Sequence, residues 1–315
     1  MKQIFYLFLL ILLTGCPGNY DFEYDIIITS QATNLGDLNT QYDDFNSDLP
    51  YDYANADIFF SSNRNSQGDN FDIIAKGLSF SYHDKDNILN LTIGNDYVLE
   101  EKASLLFEKV NTGNDELGPF SFYYERDLLS LYATDLNDTF KINLVEYLNW
   151  NTSQEPVISE PKEIQGINDA GNNLYPSYNQ GESEMFFCSD RNDSVFNIYT
   201  AIYNHKISAQ TLLSGNIKSI QKEEVLSSTY DDKCPYVKED MLVFTSNRAG
   251  SYDLYYSYFK NGLWSSPQTF GANVNTEYDE YRPVIFEMLG FNLMIFSSNR
   301  PGGQGGYDLY IVNIE

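Results

Sequence analysis

Positive charge is scarce in this 315-residue chain: 19 Lys and Arg stand against 45 Asp and Glu, a formal net charge of −26 at pH 7. No basic stripe is available to neutralise phosphates, which excludes nucleic acid as a partner. The same balance argues against electrostatic docking on an anionic membrane surface. Cysteine is down to three residues, too few for a disulfide framework. Histidine is rarer still, at two. His83 lies in a polar stretch and His205 in a turn, and two scattered imidazoles do not make a typical zinc site. There is no Gly-x-Ser-x-Gly elbow, no EF-hand loop and no phosphate-cradling glycine loop. These absences predict no metal, no cofactor and no catalytic constellation.

Long apolar runs are also wanting. The run at residues 4–13 is too short to span a bilayer but, behind Lys2, fits the core of a secretory signal. It leads into Leu13-Thr14-Gly15-Cys16. That tetrapeptide resembles the bacterial lipobox, and the resemblance implies cleavage before Cys16 and acylation of the new terminus. Two or more acyl chains anchor a protein stably where one is marginal. The expected organisation is a signal peptide at 1–15, a lipidated Cys16 with its tether at 16–23, and one folded domain at 24–315. Residues 17–23 reach about 20–25 Å when extended. The resemblance places the chain in a bacterial cell envelope, held to the membrane by its lipid. Pro17 is not the Asp that retains some lipoproteins in the inner membrane, so the outer membrane is expected, with the leaflet left open.

What the chain has in plenty is aromatic: 26 Tyr and 21 Phe in a 42% hydrophobic composition, enough for a large core. The aromatics fall into a repeat. Ile58-Phe59-Phe60-Ser61-Ser62-Asn63-Arg64, Met185-Phe186-Phe187-Cys188-Ser189-Asp190-Arg191, Leu242-Val243-Phe244-Thr245-Ser246-Asn247-Arg248 and Met294-Ile295-Phe296-Ser297-Ser298-Asn299-Arg300 share one pattern. Each is a strand-type run ending in a polar, mostly Gly-bearing stretch, which is hairpin chemistry. A second strand follows at Asp72-Ile73-Ile74, Asn197-Ile198-Tyr199, Asp253-Leu254-Tyr255 and Asp308-Leu309-Tyr310.

A signature of the form Asn-Thr-x-x-acidic-acidic-x-x-Pro precedes each hairpin. Asn275 to Pro283 shows it fully, Asn111 to Pro119 and Ser228 to Pro235 repeat it, and Asn168 to Pro176 keeps it with amides. Asn39 to Pro50 carries a short insertion. Five repeats therefore start near Pro50, Pro119, Pro176, Pro235 and Pro283, and no interval hides a sixth. The second is degenerate, with a shortened hairpin. The first is long, because 77–100 is inserted and could add a hairpin of Ile88–Ile93 with 97–99. An outer strand is expected before each signature, at 102–110, 160–167, 217–226 and 264–274. The last repeat ends without one. Residues 24–30, followed by Leu35-Gly36-Asp37-Leu38-Asn39-Thr40, supply the missing copy. The predicted fold is all-β: a five-bladed β-propeller closed by the N-terminal strand, with six blades disfavoured and blade two degenerate. Closure removes two open sheet edges.

The Ser-Asn-Arg turns, the Asp-Leu-Tyr strands and the acidic-x-x-Pro starts resemble the PD40 family, the TolB-type WD40-like propeller repeat, over roughly 24–315. The resemblance implies a bacterial envelope protein. The turns and the acidic crossovers should share one face of the disc. Arg64, Arg191, Arg248 and Arg300 are then expected to alternate with Asp43, Asp115, Asp231 and Asp279, as structural ties more than as ligand contacts. Tyr42, Tyr175, Tyr230, Tyr278 and Tyr281 fall in or near the same crossovers. Cys188 and Cys234 either bridge two blades or remain two small buried thiols.

Two functions fit. The leading expectation is a lipoprotein without catalysis, a platform for another envelope protein. The alternative is a glycan-binding or glycan-hydrolysing five-bladed propeller that uses funnel carboxylates. A plugged funnel would favour the first, and two or three clustered carboxylates flanked by Tyr or Trp the second.

Overall fold

Runs such as Phe59-Phe60, Leu242-Val243-Phe244 and Ile295-Phe296 place consecutive apolar side chains on opposite faces of a strand, and all of these are fully buried. Such a strand needs cover on both faces. Sheets stacked face to face around an axis provide it, and the computed structural model has that form. It describes residues 26–314, apart from 53–54, 95–96, 151, 153, 169–170 and 180–181. The expected signal peptide, Cys16 and the expected tether lie outside the described residues.

Five antiparallel sheets follow one another along the chain. Their innermost strands are Asp44–Asp48, Glu116–Tyr124, Asn173–Ser177, Asp232–Lys238 and Glu280–Met288. The second strands are Asn55–Ser62, Asp127–Asp135, Glu184–Ser189, Met241–Ser246 and Phe291–Ser298. The third are Asp72–His83, Phe140–Leu148, Asn197–Tyr203, Asp253–Lys260 and Asp308–Asn313. In blade two the turn between second and third strands shrinks to Asn137-Asp138, both at positive φ, as a two-residue hairpin requires.

The ring closes at the chain ends. Thr33–Asn34 pairs antiparallel with Asp308–Asn313, Thr33 opposite Ile311 and Asn34 opposite Tyr310. The ladder pairs thus fall just beyond 24–30, and that segment keeps one bond to the last strand, from Asn313 N–H to the Thr29 carbonyl (2.8 Å). Its strand, Ile26–Ile28, pairs with Ile88–Ile93 of blade one. The cause is the insertion: Asp72–His83 overruns its sheet, Ile88–Ile93 pairs with the overhang, and the edge this leaves is covered by Ile26–Ile28. Gly305 lies where the last turn meets blade one, and a Cβ there would run into the Tyr42 carbonyl.

Two further expectations are corrected. Residues 102–110 do not form an outer strand, and 97–99 do not complete a hairpin. Tyr97–Phe107 is a helix, and the spacing of buried Ala103, Leu106, Phe107 and Val110 is helical. The ring of Phe107 meets Phe59 edge-on at 4.8 Å. In the first repeat no insertion precedes the strand start. The register slips between Phe45 and Asp48, as it does between Leu117 and Phe120, Leu174 and Ser177, Lys233 and Tyr236, and Tyr281 and Val284. Ser47, not Pro50, therefore occupies the place of the repeat proline.

The Asn of each signature replaces a missing backbone pairing. The Asn39 side chain accepts from Leu309 N–H (2.8 Å) and donates to Leu309 O (3.1 Å). Asn111 does the same with Ile73, Asn168 with Ile142 and Asn275 with Leu254. In blade four Ser227 takes the role against Ile198, so the signature there starts at Ser227 and not at Ser228.

Candidate functional site

The turn–crossover face holds the residues singled out by the repeat. Arg64 reaches Asp44, Ser62 and the Leu38 carbonyl. Arg300 reaches Glu280 (2.9 Å), Ser298 (3.0 Å) and the Val274 carbonyl (2.6 Å). Arg248 repeats this with Asp232, Ser246 and Leu226 O, and Arg191 with Asn173, Ser189 and Ile167 O. The carboxylate partner is the residue after the expected Asp, inside the same blade. Each guanidinium also lies over the Phe of its own strand, Phe60, Phe187, Phe244 or Phe296.

Asp43, Asp115, Asp231 and Asp279 do other work: they clasp the preceding blade. Each accepts a backbone N–H across the interface, from Tyr307 (2.8 Å), Phe71 (3.0 Å), Phe196 (2.9 Å) and Tyr252 (2.9 Å) respectively. Burial alone would raise the Asp231 carboxyl. The Phe196 N–H, the Tyr252 hydroxyl and the Lys233 ammonium outweigh it and hold Asp231 below its usual range. All eight predicted rim residues are thus occupied in joining strands and blades. Tyr230 and Tyr278 remain exposed on this face.

The axis is closed. On each inner strand the residue before the repeat proline or its counterpart has positive φ: Asn46, Gly118, Tyr175, Cys234 and Arg282. Arg282 of blade five donates to the Pro119 carbonyl of blade two (2.9 Å) and lies 5.3 Å from the Tyr175 ring of blade three, so it crosses the channel. Asn46 of blade one reaches the Tyr175 hydroxyl (3.3 Å). All three are buried. Asp48 is a fully buried carboxyl that accepts Ser121 N–H at 2.6 Å. Desolvation raises it to about 7 in spite of the Arg282 charge and the hydrogen bonds from Ser121 and Leu49. Sequence reasoning passed over Arg282 and Asp48. The proline that follows Arg282 in the full signature was the available sign of an axial position.

Cys188 and Cys234 are both free and buried, in neighbouring blades. Ser61, Thr245 and Ser297 each accept an N–H from the positive-φ residue of the next blade: Gly118, Arg282 and Asn46. Cys188 occupies the same place toward Cys234 N–H. Burial pushes the Cys234 thiol up to about 12.

A shallow hollow of about 420 Å³ sits at the Arg191 turn of blade three, lined by Asn192, Asp193, Lys222 and Glu224. Two further cavities lie on the opposite face. A pit of about 360 Å³ sits over the plugged axis, with every blade contributing; Phe120, Phe122, Tyr178 and Tyr236 line it. Phe122 meets Tyr178 edge-on at 4.8 Å, and Phe120 lies 6.0 Å from Tyr236 across the axis. Lys238 and Ile285 form part of this wall and also part of a cleft of about 600 Å³ between blades four and five. The pit and the cleft therefore adjoin and share part of their walls. Tyr256, Tyr258 and Phe270 form an aromatic wall there, with Tyr256 at 5.8 Å from Tyr258 and 5.0 Å from Phe270. Glu239, Asp240 and Glu287 stand exposed along its edge. Burial draws the Lys238 ammonium below its usual value, although Glu239 and Glu287 beside it act the other way. Carboxylates flanked by Tyr are present, but in the cleft and not in the funnel. Among the described residues no group of three His, Cys, Asp or Glu is arranged to hold a metal.

No protein-family model matches the chain, and no curated protein matches it by sequence. Solved structures match it in fold. A GH43 β-xylosidase/α-arabinofuranosidase from a compost microbial metagenome, in complex with xylotriose, superposes with a TM-score of 0.57 at 9% identity, over 92% of this chain and 96% of that one. An endo-arabinase from Bacteroides thetaiotaomicron gives 0.54 at 12% identity, over 91% and 98%. An α-L-arabinofuranosidase from Podospora anserina, in complex with cellotriose, gives 0.55 at 12%, over 90% and 96%. At such identities the likeness establishes the five-bladed propeller. It also corrects the functional expectation. The non-catalytic platform, and the inference of no enzyme, rested on a disc without a visible catalytic motif. Glycoside hydrolases span the same disc end to end with about a tenth of the residues shared, so a missing motif carries no such conclusion.

Proposed function

We propose that this chain is a glycan-engaging propeller that takes an oligosaccharide in the groove made by the axial pit and the adjoining cleft between blades four and five. The observation that carries the reading is the groove itself: aromatic faces along its length, with exposed carboxylates beside them. Flat apolar rings next to hydrogen-bonding edges suit the faces and hydroxyls of sugars. Xylotriose and cellotriose bound to proteins of the same architecture support the ligand class.

Cleavage of a glycosidic bond is the second reading, and Asp48 favours it. A carboxyl raised to about 7 keeps its proton on about half of the molecules at neutrality, where an ordinary aspartate keeps almost none, and can give it to a leaving oxygen. Its hydrogen-bond donor Ser121 lines the pit. Glycosidases of the usual kind need a second carboxylate. Around the plugged axis Asp48 faces a guanidinium instead, which is why binding is put first.

Calorimetric titration with xylo-, arabino-, gluco- and glucosamine oligosaccharides tests the reading. Binding should occur and should weaken at least tenfold, about 1.4 kcal/mol, in Tyr256→Ala. The rim variant Asp279→Asn should bind normally. Absence of binding across the panel would overturn the proposal. Release of reducing ends by the wild type, lost in Asp48→Asn, would establish the second reading.

The lipobox resemblance and the PD40-type repeat belong to the same proposal. They support a bacterial envelope protein attached through lipid on Cys16, most simply at the outer membrane.

A further inference from the structure

The charge of the groove narrows the ligand. Glu239, Asp240 and Glu287 form neither a contact ion pair nor a side-chain hydrogen bond with a described residue; Lys238, the one cation among the lining residues, feels Glu239 and Glu287 at longer range. The lining therefore carries three negative charges against one positive, or against two when Lys260 at the aromatic wall is counted, and the chain adds the field of its −26 net charge. The aromatic wall works in the same direction, because the face of a tyrosine ring attracts cations. Lys260 shows this directly, with its ammonium 5.0 Å from the centre of the Tyr258 ring. A uronate or sulfated glycan would bring like charge to this edge. A neutral glycan would leave the carboxylates unpaired. A sugar bearing a free ammonium group pairs with them and with the ring faces at once.

We propose that the groove selects oligosaccharides of amino sugars whose nitrogen is a free ammonium, over their N-acetylated, neutral and acidic counterparts. This rests on the glycan reading of the same groove and names its ligand class.

The test is calorimetric titration of the full chain with the glucosamine hexamer, the N-acetylglucosamine hexamer, xylohexaose and the galacturonate hexamer, at low and moderate salt. The glucosamine hexamer should bind at least tenfold more tightly than its N-acetylated form. The preference should shrink to about twofold in Glu239→Gln/Glu287→Gln and weaken with salt, as screening requires. Equal affinity for the two hexamers overturns the inference. So does a preference that survives Glu239→Gln/Glu287→Gln or Tyr256→Ala, since it would then come from the general field of the protein. Tight xylohexaose binding, abolished by Tyr256→Ala but without preference for the ammonium sugar, overturns the inference while leaving the glycan reading standing. Failure of all four hexamers to bind overturns both.

Discussion

Asp48 offers a sharp test of the closed axis, because its cost to the fold depends on pH in a way that a solvated carboxylate would not. Its carboxyl rises from an ordinary value of 3.8 to about 7, through desolvation partly offset by Arg282 and two hydrogen bonds. Between those values the folded protein holds a proton that the unfolded chain has released, so stability falls as pH rises. The penalty begins above 3.8, grows by about 1.4 kcal/mol per pH unit, and is complete above about 7, where it reaches roughly 4 kcal/mol. At pH 5 it is roughly 1.6 kcal/mol, and by pH 8 nearly the full amount. Asp48→Asn cannot ionise, yet its side-chain oxygen can still accept the Ser121 N–H. Urea unfolding of wild type and variant at pH 5 and pH 8 isolates the effect. The stability of the variant relative to wild type should improve by about 3 kcal/mol between the two pH values, whatever its offset at either one. A relative stability that does not change with pH would show that Asp48 is solvated or already ionised, and the closed axis would be wrong.

Asn39→Ala removes the two hydrogen bonds that tie the N-terminal segment to Leu309, so urea unfolding should show a loss of about 2–3 kcal/mol. No loss would mean that the ring is held shut elsewhere. Arg300→Lys keeps the charge but gives up the planar fork over Phe296 and its contacts with Glu280, Ser298 and the Val274 carbonyl. It should cost about 1–2 kcal/mol by thermal or urea unfolding, and a neutral result would speak against a tying role for the rim. In a Cys16→Ser chain, Cys188 and Cys234 should resist iodoacetamide at pH 8 while folded and react fully in urea, because both are buried and only the thiolate attacks. Native-state labelling at the rate of a free thiol would contradict the packing.

The repeat was legible because the groups that hold a blade together recur in every blade. The Phe of the second strand, the turn arginine and the crossover Asn and Asp each satisfy a local need of the sheet, so each leaves a mark at fixed spacing. Where a blade departs from that need, the reading slipped. Ser47 carries no proline signal, and Pro50 was taken in its place. The helix Tyr97–Phe107 lies in the one insertion, where the strand pattern gave no warning although the spacing of Ala103, Leu106 and Phe107 did. Ile26–Ile28 joined blade one because that insertion created an edge. The groove was not legible for a deeper reason. Glu239, Asp240 and Glu287 sit in or beside hairpin turns that no repeat constrains, and Glu287 of blade five joins Glu239, Asp240, Tyr256 and Tyr258 of blade four only once the two blades are side by side. Repetition directed attention to the rim, whose side chains are occupied in holding the ring. Ligand sites break the symmetry that makes a repeat visible.

A crystal structure of the protein soaked with an oligosaccharide that it binds tests the central claim most directly. The account predicts sugar rings on Tyr256 and Tyr258, with hydroxyl or ammonium groups at Glu287 and Glu239. Density on the turn–crossover face among Arg64, Arg191, Arg248 and Arg300, with the groove empty, would contradict it.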